Sequence, residues 1–133
     1  MRAPRGIPQP AHLHDTVHPA LRPGTAAGEI LQVAAGMAHG LDNLLDAAET
    51  LQEHPEILVL ILGEGAERTG LEARAAARGL DNVVFRDFMP HTYMPSILSA
   101  LDASIVHLRP DPLWETVIPS KIFEGMAMGV PLI

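Results

Sequence analysis

Three residues near the end of the chain have types and a spacing that suit a phosphate-containing ligand. Ser120, Lys121 and Glu124 lie in the run IPSKIFEG, which has the pattern of a loop followed by the start of a helix. Ser120 can cap that helix, and Lys121, the only lysine in the protein, can neutralise a phosphate. The Glu124 carboxylate can accept hydrogen bonds from vicinal hydroxyls such as those of a ribose. The alternative is a capped surface helix with an ordinary Lys and Glu pair.

Two turns that contain glycine are further candidates for contact with such a ligand. The segment 36–40, with the sequence GMAHG, lies between an apolar run and a helical pattern. Small residues there let backbone N–H groups approach an anion closely, although a simple turn has the same pattern. The segment 63–65, GEG, lacks the lysine and hydroxyl of a P-loop and the third glycine of a dinucleotide fingerprint. On its own it indicates a tight turn.

The order of apolar segments predicts the elements that position these residues. From Glu29 onward, short apolar runs alternate with amphipathic segments, which is typical of strand-helix units around a parallel sheet. Strands are predicted at 30–35, 57–62, 82–86 and 103–108, with a fifth beginning at Val130. Helices are predicted at 41–51, 67–78, 94–101 and 120–128. Gly79 and Gly129 stand where left-handed residues end the second and fourth helices.

This alternation predicts an α/β fold with a Rossmann-like, doubly wound parallel sheet of about five strands. Right-handed connections give the spatial order third, second, first, fourth, fifth strand. Ligands in such sheets bind outside the carboxyl ends of the strands, at the point where the order reverses. We therefore expect the loops at 36–40 and 109–121 to meet at one edge of the sheet.

Composition excludes several classes of function. The 133 residues are enough for one domain, and the apolar share of 47% is enough for a core. The formal charge of -7, from nine basic and sixteen acidic residues, argues against a nucleic-acid partner. Without cysteine, a disulfide framework and a thiolate zinc site are excluded. The longest apolar run, 57–62, is far shorter than the roughly twenty residues that span a bilayer, so a cytoplasmic location is expected.

The first 28 residues are predicted to form a separate, irregular segment. They are rich in Pro, His, Gly and Ala and have no apolar period of either kind. His12, His14, Asp15 and His18 resemble a metal cluster. No rigid element is predicted there to fix ligand geometry, so no metal site is assigned.

Several motifs, taken in order, resemble one enzyme family. They are GEG at 63–65, LDNVVF at 80–85, LDAS at 101–104, IPSKIFE at 118–124 and GVPLI at 129–133. Together they resemble the C-terminal domain of the family-4, or group 1, glycosyltransferases, which have the GT-B fold. The run GMAHGL at 36–41 is similar to the branch that builds cell-surface polysaccharides. The resemblance covers about Ile30 to Ile133, so residues 29–133 are expected to form part of a nucleotide-sugar-binding domain.

The resemblance implies a donor site for a nucleotide sugar and a transfer reaction with retention at the anomeric carbon. The resemblance implies that Glu124 binds the ribose and that Ser120 and Lys121 bind the diphosphate region. It also implies that the backbone around Phe88 and Met89 binds the base. The loop that contains Gly36, His39 and Gly40 would face the phosphates, and Gly63 would lie on the same rim. No cofactor is implied, because the nucleotide sugar is itself the donor substrate.

The resemblance also implies a missing part. The acceptor domain of a GT-B enzyme has no counterpart in these residues, so we expect a fragment that is inactive without an acceptor domain or a partner chain. A peripheral membrane association is compatible with the full-length enzyme. No catalytic residue is assigned, because Thr116 stands where the family often has a second glutamate. A non-catalytic nucleotide-sugar binding module and a GT-B nucleotide-sugar epimerase are the alternatives.

Overall fold

The computed structural model describes residues 40–107 and 118–133, Pro112, and the backbone of residues 29–34. The predictions made for residues 1–28, for Gly36 and His39 and for most of the loop 109–117 lie outside the described residues.

Strands and helices alternate along the described chain as predicted. The strands are β1 (Glu29–Ala34), β2 (Ile57–Leu62), β3 (Val83–Arg86) and β4 (Ala103–Ile105). The helices are α1 (Asp42–Thr50), α2 (Arg68–Ala77), α3 (Met94–Leu98) and α4 (Ser120–Met128), with 3-10 turns at Leu51–Glu53 and His91–Tyr93. Positive φ angles of 64° at Gly79 and 68° at Gly129 confirm the predicted left-handed residues after α2 and α4.

Helix α3 is shorter than the predicted 94–101. After Leu98 the backbone bonds run from Ala100 N–H to the Ile97 carbonyl and from Leu101 N–H to the Leu98 carbonyl, over three residues instead of four. The Ser99 hydroxyl also donates to the Ser96 carbonyl at 2.8 Å. A serine that bonds to its own preceding turn competes with continuation of the helix, which explains the early end.

The sheet is parallel and has the order β3-β2-β1-β4. Beyond β4, Leu132 forms a single parallel bridge with Ser104. The Ser104 N–H donates to the Pro131 carbonyl at 2.8 Å, and the Ile133 N–H donates to the Ser104 carbonyl at 2.9 Å. The predicted order is therefore confirmed, with a bridge in place of a full fifth strand in the described chain.

Strand β2 is covered on both faces, as its six consecutive apolar residues predict. Val59 and Ile61 pack with residues of α1 and α2, among them Leu45 and Leu71, whereas Leu60 and Leu62 pack with Ile97 of α3 and its neighbours. The alternation of side chains along a strand sends these two pairs to opposite faces. Helices α1 and α2 thus lie on one side of the sheet, and α3 lies on the other side. In the described ranges, no helix has the length and apolar character that crossing a membrane requires.

Helix α4 packs closely on the segment that follows it. Gly125 is buried, and a Cβ atom built on it would lie 2.5 Å from Leu132 Cδ2. The absence of a side chain at residue 125 therefore sets how near α4 can approach the fifth position of the sheet. Because Ser120, Lys121 and Glu124 lie on the same helix, this contact also helps to fix their place.

The substitution Gly125→Ala is expected to lower the free energy of unfolding by about 1–3 kcal/mol, because Leu132 must leave its packed position. In a Leu132→Ala background the same substitution should instead stabilise the protein, by up to about 1 kcal/mol from helix propensity. Urea unfolding of wild type, Gly125→Ala, Leu132→Ala and the double variant measures both effects. An equal effect in the two backgrounds would contradict the packing argument.

Candidate functional site

A cavity of about 400 Å³ lies at the carboxyl ends of β2, β3 and β4, beside the start of α4. Its walls come from the end of β2 and the turn after it, the segment between β3 and α3, α3 itself, β4, and the first turns of α4. The lining residues are Leu62, Gly63, Glu64, Phe88, Met89, His91, Met94, Leu98, Ser104, Ile105, Ser120, Lys121 and Glu124. Parallel strands place these segments at one edge of the sheet, where ligands of such folds bind.

Six of the residues singled out from the sequence line this cavity: Gly63, Phe88, Met89, Ser120, Lys121 and Glu124. Gly40 is not among the lining residues. It has a φ of 98°, and its carbonyl lies 3.1 Å from Nε2 of His107, just beyond β4. His107 therefore ties the end of β4 to the start of α1.

The start of α4 differs from the prediction at one residue. Pro119 precedes the helix with φ -61° and ψ 136°, and Ser120 is the first helical residue. A capping side chain belongs to the non-helical residue before the helix, so Ser120 is one position too late, and Pro119, which holds that position, makes no side-chain capping hydrogen bond. The predicted capping role of Ser120 is therefore wrong. The uncapped N-terminus carries partial positive charge at the wall of the cavity.

Lys121 and Glu124 give the α4 wall its charge. Lys121 is half-buried, and its burial lowers the pKa of the ammonium below the ordinary value, while the nearby Glu124 carboxylate acts in the opposite direction. A buried cation that has lost part of its hydration gains the most from an incoming anion. The arrangement therefore favours a negatively charged group next to Lys121.

The apolar wall of the cavity comes from the segment between β3 and α3 and from α3 itself. Met89, Met94 and Leu98 are apolar, and Phe88 is 59% exposed although it lines the cavity. An exposed aromatic ring and partly buried thioether side chains of this kind can cover a planar ring. The cavity thus combines an apolar wall with a wall that carries a cation, a carboxylate and a helix N-terminus.

Three polar or ionisable lining residues were not assigned a role from the sequence: Glu64, His91 and Ser104. Glu64 was noted only as part of a turn, and His91 belongs to a 3-10 turn that no pattern predicted. Ser104 is 7% exposed and is the buried polar residue of the described core. A serine within an otherwise apolar strand was the available signal for it. Within the described ranges, no cluster of three or more His, Cys, Asp or Glu residues could hold a metal ion.

Relatives of this chain are glycosyltransferases. It is 31% identical over 94 residues to Escherichia coli (strain K12) WcaI, named for colanic acid biosynthesis, with 71% of this chain and 23% of that protein covered. It is 29% identical over 86 residues to 2-deoxystreptamine glucosyltransferase of Streptomyces kanamyceticus, with 64% and 21% covered. The chain spans about a fifth of the length of these curated relatives.

Solved structures show the same fold. The C-terminal domain of the Francisella tularensis group 1 glycosyl transferase LpcC has a TM-score of 0.62 at 21% identity, with 78% of this chain and 55% of that chain covered. Anabaena HepE, solved with UDP and glucose, has a TM-score of 0.62 at 20% identity, with 80% and 29% covered. The α/β architecture is therefore that of GT-B glycosyltransferases.

A family model described as glycosyl transferases group 1 matches residues 29–133. This range includes all the residues that line the cavity. The chain belongs to the group 1 glycosyltransferases.

Proposed function

We propose that the cavity binds the nucleoside diphosphate part of a nucleotide-sugar donor, for a sugar transfer that retains the anomeric configuration. The observation that carries this proposal is the meeting of a half-buried Lys121, an uncapped α4 N-terminus and Glu124 with an apolar wall. Support comes from relatives with the same fold, since Anabaena HepE was solved with UDP and glucose and pneumococcal GtfA with UDP and GlcNAc.

Each wall has a role in this proposal. The diphosphate lies against the N-terminal turn of α4, where Lys121 and the helix dipole offset its negative charge. Glu124 accepts hydrogen bonds from the ribose hydroxyls, and the segment with Phe88 and Met89 covers the base. The loop containing Gly36, His39 and Gly40 stays a prediction as a second phosphate contact.

The chemistry that these residues supply is electrostatic. When the bond between the anomeric carbon and the diphosphate oxygen breaks, the bonding electron pair and its negative charge remain on the diphosphate. Lys121 and the α4 N-terminus stabilise that charge as it develops, without having to reorganise. Ser120 offers a hydroxyl at the same wall.

Donor binding and complete transfer are separate properties of this chain. The roles proposed above for the cavity residues concern the donor alone. We expect this chain to bind donor without transferring sugar until an acceptor domain or a partner chain completes the cleft. A cytoplasmic location, a role in polysaccharide biosynthesis and a peripheral membrane association of the full-length enzyme belong to the same proposal.

Glu124 should give the site a preference for ribose. Wild type is expected to bind UDP about tenfold more tightly than 2′-deoxy-UDP, because the carboxylate accepts a hydrogen bond that the deoxy ligand cannot donate. Glu124→Ala, which removes the acceptor, should lose most of that preference. NMR titration with both ligands measures the ratio, and signals of Ser120 to Glu124 should shift in wild type. If a folded wild-type sample shows no shift with UDP, the donor-site proposal is wrong.

Lys121 should make UDP binding depend on pH. Its pKa in the folded protein lies below the ordinary 10.5, so the ammonium is lost as pH rises through a window that begins below 10.5. UDP affinity should fall through that window in wild type and stay higher in Lys121→Arg, which keeps its charge. Titration calorimetry of both proteins measures this difference, and the ionisation of UDP itself cancels between them. Parallel pH profiles would contradict the role given to Lys121.

The same lowered pKa fixes the sign of a stability effect. Lys121 keeps its proton to a higher pH in the unfolded chain than in the folded chain, so the unfolded state binds more protons within the window. The free energy of unfolding of wild type should therefore rise with pH there, relative to Lys121→Arg. Urea unfolding at several pH values measures it, in the absence of ligand.

A further inference from the structure

Arg68, at the start of α2, joins the ends of two neighbouring strands. Its Nη1 atom donates to the Gly63 carbonyl at 2.9 Å and to the Arg86 carbonyl at 3.1 Å. The same atom lies 2.9 Å from Oδ1 of Asp87. Its Nε atom donates to Oε1 of Glu72 at 2.7 Å. One guanidinium therefore connects the exit of β2, the exit of β3 and the next turn of its own helix.

These contacts lie where the hydrogen-bond ladder between β2 and β3 ends. Leu62 and Arg86 are the last paired residues, and the Gly63 N–H donates to the Arg86 carbonyl at 3.1 Å. Beyond that point the two segments separate and run into different parts of the cavity wall. The turn after β2 supplies Gly63 and Glu64, whereas the segment after β3 supplies Phe88 and Met89.

We propose that Arg68 is a positioning residue for the nucleobase end of the cavity, which rests on the donor-binding function proposed above. By holding the Gly63 and Arg86 carbonyls and the Asp87 carboxylate on one nitrogen, Arg68 fixes the separation of the two cavity-lining segments. Asp87 directly precedes Phe88, so the ion pair also restrains the backbone that leads into the aromatic wall. Arg68 itself is not among the residues that line the cavity.

The guanidinium is well suited to this task. Nη1 carries two hydrogens for three oxygens, so small shifts of either segment lengthen one of these bonds. The side chain is 19% exposed, which strengthens its bonds relative to those of a fully hydrated cation. The hydrogen bond to Glu72, with the charges of Glu72 and Asp87, raises the pKa of Arg68 despite its burial. Lysine could not reproduce the planar fork that reaches two directions at once.

Helix α2 contains a matched control for this role. Arg74 forms an ion pair with Asp42 of α1 at 2.7 Å, and neither residue lines the cavity. The substitution Arg74→Ala therefore removes one arginine and one ion pair from the same helix without touching the strand exits. It separates the loss of an α2 ion pair from the loss of positioning.

The test compares two ligands that use different parts of the cavity. NMR titrations give dissociation constants for UDP and for inorganic diphosphate in wild type, Arg68→Ala, Asp87→Asn and Arg74→Ala. In Arg68→Ala, UDP binding should weaken about tenfold and diphosphate binding should change by less than about twofold, because only UDP uses the Phe88 wall. Asp87 is 86% exposed, so Asp87→Asn should fold normally and weaken UDP binding by about twofold to fivefold. Arg74→Ala should bind both ligands as wild type does.

The outcomes separate this inference from the proposed function. Unchanged UDP binding in Arg68→Ala, or equal weakening of both ligands, would overturn the positioning role and leave donor binding intact. If Arg68→Ala does not fold, Asp87→Asn decides, and unchanged UDP binding there overturns the proposal. A wild type that does not bind UDP would instead refute the proposed function itself.

Discussion

Strand β2 buries apolar side chains on both of its faces, and the other elements are arranged by that requirement. Val59 and Ile61 need a helical layer on one side, and Leu60 and Leu62 need another on the opposite side. A parallel sheet with helices on both faces meets this demand, because each strand must be followed by a crossover. The crossovers in turn bring the carboxyl ends of all strands to one edge. The cavity lies at that edge as a consequence of how β2 is buried.

The cavity places opposing demands on Lys121. Burial in the wall removes water from the ammonium and disfavours its charged form, whereas Glu124 supports that form. A bound diphosphate would restore the lost stabilisation, so the cost of burying the cation becomes part of the selectivity for an anion. The absence of a capping side chain on α4 acts in the same direction, since the helix N-terminus keeps its partial charge for a ligand. In the proposed function, both features favour an anion at the α4 wall.

Much of the fold could be predicted from the sequence, because its strongest signals are local and periodic. The bounds of β2 match the prediction exactly at 57–62, since Pro55 and Gly63 flank a continuous apolar run. Strand order followed from right-handed crossovers, and the Leu132 bridge beside Ser104 agrees with it. Element ends were less predictable where side chains compete with the backbone, as Ser99 does after α3.

The candidate site could be predicted only in part, for a different physical reason. Topology assigned the loop before α4 to the carboxyl edge of the sheet, the family resemblance supplied Phe88 and Met89, and six of the residues singled out line one cavity. The capping role of Ser120 was wrong because the helix begins at Ser120 itself, one residue earlier than a Ser120 cap requires, a shift that sequence patterns do not resolve. His91 and Ser104 line the cavity because of tertiary packing, and no spacing in the sequence relates them to Lys121.

The arginines of α2 show how one helix divides its charges between surface contacts and the site. Arg74 of α2 and Arg78, directly after it, pair with Asp42 and Asp46 of α1, and all four side chains are at least 33% exposed. Water competes with such pairs, so they contribute little to stability. Arg68 differs because its side chain is only 19% exposed and its partners include two backbone carbonyls at the end of the β2–β3 ladder. Arg68 therefore extends the order of the sheet past the last paired residues and into the wall of the cavity.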